Sequence, residues 1–159
     1  MNITPEQIRA LRAGRTADRL AAEYVMGWKW FWWPAWDGAH KWRKLAPPDC
    51  EPHLEYKLWS PADGDMAVWN NTGVNPPGYS SYWEAMEQIV IQMRQRGWDW
   101  GIYSTKSGFM VGFNKTVKRG GDAKFIKERV EESGAPLATL KAALLALVAE
   151  SEAENDIRV

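Results

Sequence analysis

Asp49-Cys50-Glu51-Pro52-His53 is the one stretch where a thiol and an imidazole stand close in sequence. A Cys-x-x-His pair flanked by carboxylates could ligate zinc, or could pair a thiolate nucleophile with a histidine base. A structural zinc needs four ligands, and the chain has one cysteine and two histidines, His40 and His53. Asp63 and Asp65 could act as paired carboxylates, but Ala62-Asp63-Gly64-Asp65 is more simply turn chemistry. The chain contains no GxSxG, Walker loop, GxGxxG or HExxH. A non-enzymatic protein is therefore expected, with no catalytic residue, bound metal or cofactor.

A different chemistry is written in aromatic rings. Residues 27–36 read GWKWFWWPAW, and the chain holds 11 tryptophans in 159 residues. Some must pack in the core, and Trp83 and Trp98 are expected there. The total exceeds what a core of this size needs, and surplus apolar surface marks interaction. Strand alternation puts residues 28, 30 and 32 on one side and 31 and 33 on the other. Cations interleave with these rings at Lys29, Lys41, Arg43 and Lys44. Rings beside cations suit a planar anionic guest: the rings stack on it and the cations take its charge. Trp28, Lys29, Trp30, Trp32, Trp36, Trp42 and Arg43 are the candidate ligand-binding residues. Tyr79, Ser80 and Ser81 join them, because a helix start offers free N–H groups and positive dipole to an anion. Ordinary helix capping is the competing reading of those three.

These residues must be positioned by the elements around them. Thr4-Pro5-Glu6-Gln7 has the features of a capping box and opens a short helix. Gly14 breaks it, and a second helix is predicted from about Thr16 to Met26, stopped by Gly27. Residues 28–33 form a strand. Residues 34–78 are a loop-rich insert with short strands around Trp42, over 54–60 and over 66–69. Ser80 or Ser81 caps a helix to Arg96, with Met86, Ile89, Val90 and Met93 on its apolar face beside Trp83. Three strands follow, at 98–103, 109–115 and 123–132, joined by short connections that favour antiparallel neighbours. A last helix starts at Ala135-Pro136 and reaches about Glu150, with Leu137, Leu140, Leu144, Leu147 and Val148 inward. The acidic residues 151–159 are expected to form a flexible tail.

The fold class is thus α+β, an antiparallel sheet sandwiched between helices. Residues 1–150 make a single domain. The formal net charge is 0. It divides as +3, −4 and +1 over residues 1–50, 51–100 and 101–159, so no segment is basic enough to grip duplex nucleic acid by phosphate neutralisation. Residues 80–150 follow the α-β-β-β-α order of a double-stranded RNA-binding domain. They lack the lysine cluster such a domain carries at its last helix. No apolar run is long enough to cross a bilayer, and one cysteine excludes an intrachain disulfide, so a cytoplasmic protein is expected.

Three segments resemble a known family. They are AAEYVMGW at 21–28, YSSYWEAMEQI at 79–89 with RGW at 96–98, and APLATLKAALLAL at 135–147. In this order they resemble the small phage and prophage proteins grouped as the phage ABA-sandwich domain. The resemblance implies a phage-encoded protein acting in the cytoplasm of a bacterial host, and it implies no settled activity. Together with the rings it leads to one expectation: a homo-oligomeric protein that sequesters a small nucleotide-derived ligand of anti-phage defence. A protein-interaction module acting on a host or phage protein is the alternative. A single-stranded nucleic-acid binder is a weaker one.

Overall fold

The computed structural model describes residues 3–34, 41–47, 57–58, 76–119 and 122–156, and only the backbone at 31–34, 41–44, 57–58 and 119. Helix α1 spans Pro5–Arg9. The Thr4 hydroxyl accepts the Gln7 N–H at 3.3 Å, and the Gln7 side chain accepts the Thr4 N–H at 2.9 Å, which closes the capping box. Helix α2 spans Arg15–Leu20 and continues as a π-helical turn over Ala21–Val25. The last carbonyls of a helix need an outside donor. Arg96 provides it, donating to the Val25 carbonyl at 2.8 Å and the Tyr24 carbonyl at 3.3 Å. Gly27, at φ 72°, then turns the chain out of the helix.

Strands β1 (Lys29–Pro34), β2 (Lys41–Ala46) and β3 (Lys57–Leu58) form one antiparallel sheet in the order β2-β1-β3. The strand expected over 66–69 lies outside the described residues. Helix α3 (Trp83–Gln95) buries Ala85, Met86, Ile89, Val90 and Met93. Strands β4 (Asp99–Ser104), β5 (Phe109–Arg119) and β6 (Asp122–Glu132) form a second antiparallel sheet in sequence order. Helices with antiparallel sheets make this an α+β fold, as the sequence predicts.

Helix α4 (Ala135–Asp156) explains the arrangement. Every residue from Ala138 to Leu147 is buried, not one stripe of them. A helix apolar all round must be covered all round. Strands β5 and β6 cover α4 on one side, and α1, α3 and the π turn pack against it elsewhere. The helix also runs beyond the Glu150 end expected from sequence, since Ala153 is buried and Asp156 pairs with Lys124 at 2.8 Å. The inner face of the second sheet supplies Trp100, Ile102, Val111, Phe113, Ile126 and Val130 to the core. The outer face carries Tyr103 and Phe125, which are 64% and 62% exposed.

Candidate functional site

The β1–β2 pairing joins the two segments that the aromatic chemistry singled out. Trp30 stands opposite Leu45, Phe31 opposite Lys44, Trp32 opposite Arg43, and Trp33 opposite Trp42. On the other edge of β1, Lys57 of β3 stands opposite Trp32, and Leu58 opposite Phe31. Opposed residues in an antiparallel sheet share a face. Position 32 is therefore the middle of a row that reads Arg43–Trp32–Lys57. Lys57 is absent from the candidates drawn from sequence, because it belongs to a separate short segment and only strand pairing brings it here.

The candidates do not all lie in one environment. Trp30 is 8% exposed and Leu45 1%, so this row of the sheet is core. Trp28 is half-buried against the same core, with its backbone N–H donating to the Ala22 carbonyl at 2.8 Å. Lys29 is exposed. Trp36 lies outside the described residues, as do His40, Cys50, His53, Asp63 and Asp65. Among the described residues no three His, Cys, Asp or Glu side chains gather in a way that could hold a metal.

The helix start at 78–81 differs from the sequence expectation. The cap of α3 is Tyr82, whose side chain makes no capping bond, so neither Ser80 nor Ser81 caps it. Ser80 is buried and spent within the fold. Its N–H donates to the Asp18 carboxylate at 2.7 Å, and its hydroxyl accepts the Gly14 N–H at 2.9 Å. The anion drawn to this segment is therefore the chain's own Asp18. Tyr79 is 1% exposed. Burial, and after it the nearby Asp18 charge, pushes its phenol up to about 12. Ser81 is exposed, with its N–H donating to the Gly78 carbonyl at 3.0 Å. The structure does not bring Tyr79 and Ser80 to a ligand-facing surface.

Two further expectations change. Trp83 is 52% exposed, not core, and its ring meets Phe109 edge-on with centroids 5.8 Å apart. Trp98 is core at 2% exposure, with the Lys115 ammonium 5.6 Å from its ring centroid. Lys141, the lysine near the start of α4, is buried. It donates to the Arg9 carbonyl at 2.8 Å and pairs with Glu132. It cannot serve as the phosphate grip that the α-β-β-β-α order brings to mind. Among the described residues no helix is long and apolar enough to cross a membrane. No protein-family model, curated protein or solved structure matches the chain.

Proposed function

We propose that the chain is a non-enzymatic phage accessory protein that binds and sequesters a small nucleotide-derived ligand, an immune signal of the bacterial host. The observation that carries this reading is the row Arg43–Trp32–Lys57. Two cations in one row are foreign to a core unless paired. A ring between two cations is the arrangement a planar anion needs: the ring takes the base and the cations take the phosphate. The non-enzymatic part rests on the missing catalytic motifs, and the phage setting rests on the three resembling segments. A closed homo-oligomer would suit a sequestering protein and would occupy further aromatic surface.

The test is a thermal-shift screen of the protein against linear and cyclic nucleotides. A ligand at about a hundred times its dissociation constant stabilises by roughly 2.7 kcal/mol, which raises Tm by several degrees. Trp32→Ala and Arg43→Ala should each abolish the shift while leaving the unliganded Tm near that of the parent. A flat screen on folded protein overturns the reading.

A second reading is a protein-interaction module. The observation favouring it is the exposure of Tyr82, Trp83 and Ile91 at 64%, 52% and 47%. Trp83 and Ile91 lie eight residues apart on α3, a little over two turns. Exposed aromatic residues of this kind anchor protein partners. Loss of a captured partner in Trp83→Ala, with nucleotides inert, would favour this reading over the first.

A further inference from the structure

The outer face of β4–β5–β6 has a composition that its role in the fold does not require. Register places its residues in rows along β5: Tyr103, Met110 and Glu131; then Gly101, Gly112 and Arg129; then Asp99, Asn114 and Lys127. Thr116 and Phe125 follow, and then Lys118 and Ala123. Rows on one face are about 7 Å apart, so the set spans roughly 27 Å. The floor is glycine. A Cβ placed on Gly101 would lie 3.4 Å from the Tyr103 hydroxyl and 3.5 Å from its ring. A Cβ on Gly112 would lie 3.2 Å from Arg129 Cγ. The Tyr103 ring and the Arg129 stem thus lie low over two adjacent glycines.

The charges of this face are unequally satisfied. Glu131 accepts from the hydroxyls of Thr105 at 2.6 Å and Ser107 at 2.5 Å. Asp99 accepts from the Asn114 amide at 3.2 Å. The cations Lys118, Lys127 and Arg129 make no ion pair or hydrogen bond among the described residues. Neutral hydroxyl and amide donors leave both carboxylates charged, so the face carries three open cations against two anions, a small excess that favours an anionic partner. Its exposed rings, Tyr103 and Phe125, favour one that also offers planar groups.

We propose that this outer sheet face binds single-stranded nucleic acid, with Tyr103 and Phe125 as stacking platforms and Arg129, Lys127 and Lys118 on the phosphates. Splayed bases reach such rings, whereas a duplex keeps its bases stacked away from them. Three cations on a neutral chain make the contact modest and sensitive to salt. Its residues belong to β4, β5 and β6 and include none of the β1–β2 row.

The experiment is fluorescence anisotropy of the full chain with a short fluorescein-labelled oligothymidylate, with polyglutamate as competitor. Saturable binding is expected, with a log–log salt slope of about −2 for three phosphate contacts. Tyr103→Ala and Phe125→Ala should each weaken it about five- to a hundred-fold, with parental circular dichroism. Tyr103→Phe should keep most of the affinity. Absence of binding overturns the proposal. So does binding that polyglutamate displaces equally well and that neither ring substitution alters, since that would be charge alone.

Discussion

The Asp18 carboxylate accepts the backbone N–H of Ser80 at 2.7 Å, a buried bond across 62 residues of sequence. It ties α2 to the approach of α3, and the Gly14 N–H to the Ser80 hydroxyl makes a second tie beside it. A buried N–H left without its partner carries its full desolvation cost. Asp18→Ala should therefore cost about 2 kcal/mol, or about 4–8 °C in Tm. Asp18→Asn retains an acceptor and should cost less. Urea or thermal unfolding of the two variants gives the comparison, and equal stabilities would show that the bond contributes little.

Trp30 and Trp32 are two residues apart on one strand and should behave differently. Trp30 is core, so Trp30→Ala should destabilise by about 3–5 kcal/mol through lost burial and the cavity left behind. Trp32→Ala should leave stability near that of the parent and remove nucleotide binding. If both unfold the protein alike, the Arg43–Trp32–Lys57 row is part of the core and the proposed ligand site is lost.

Lys141 carries a buried charge held by Glu132 and by the carbonyl that ends α1. Removing one member of a buried pair leaves the other charge uncompensated. Glu132→Ala should cost about 3–5 kcal/mol, while Lys141→Met combined with Glu132→Gln should recover most of that loss. A double-mutant cycle read by denaturant unfolding measures the coupling. A coupling near zero would mean that the Arg9 carbonyl alone holds the ammonium.

Tyr79 sets a pH dependence at the alkaline end. Its phenol titrates near the ordinary 10.0 in the unfolded chain and is pushed up to about 12 in the fold. Above pH 10 the unfolded chain loses the proton that the folded chain keeps, so unfolding gains and stability falls. The contribution is complete below pH 10 and disappears as the pH rises to about 12. Tyr79→Phe has no proton to lose there. Its stability should fall less steeply than the parent's over that window, which chemical denaturation at a series of pH values would measure. Parallel curves would refute the assignment.

Much of the framework was legible because its causes are local. The Thr4–Gln7 capping box, the Gly27 stop and the strands expected at 98–103, 109–115 and 123–132, found at 99–104, 109–119 and 122–132, follow from residues within a few positions of one another. The all-round burial of α4 was not legible: the helical period points to one inward stripe, whereas every residue from Ala138 to Leu147 is buried, Thr139 and Lys141 included. Trp98 in the core was legible. Trp83 was not: the 3.6-residue period puts it beside Met86 and Val90, but at the first residue of α3 its ring remains half exposed against the edge of Phe109.

The sequence by itself determined the α+β class, the antiparallel pairings of neighbouring strands and the concentration of rings beside cations. Those depend on side-chain period, turn residues and composition, which any short window contains. Only tertiary structure decided what each candidate faces. It placed Trp30 against Leu45 in the core and set Lys57 across from Trp32 from a segment far along the chain. It also gave the backbone N–H of Ser80 to Asp18. A free N–H, a cation or an exposed ring has the same local sequence whether it is satisfied by solvent, by a guest or by the chain itself. Which of these satisfies it is settled by pairing across long separations, where burial makes an unpartnered polar group too costly to leave.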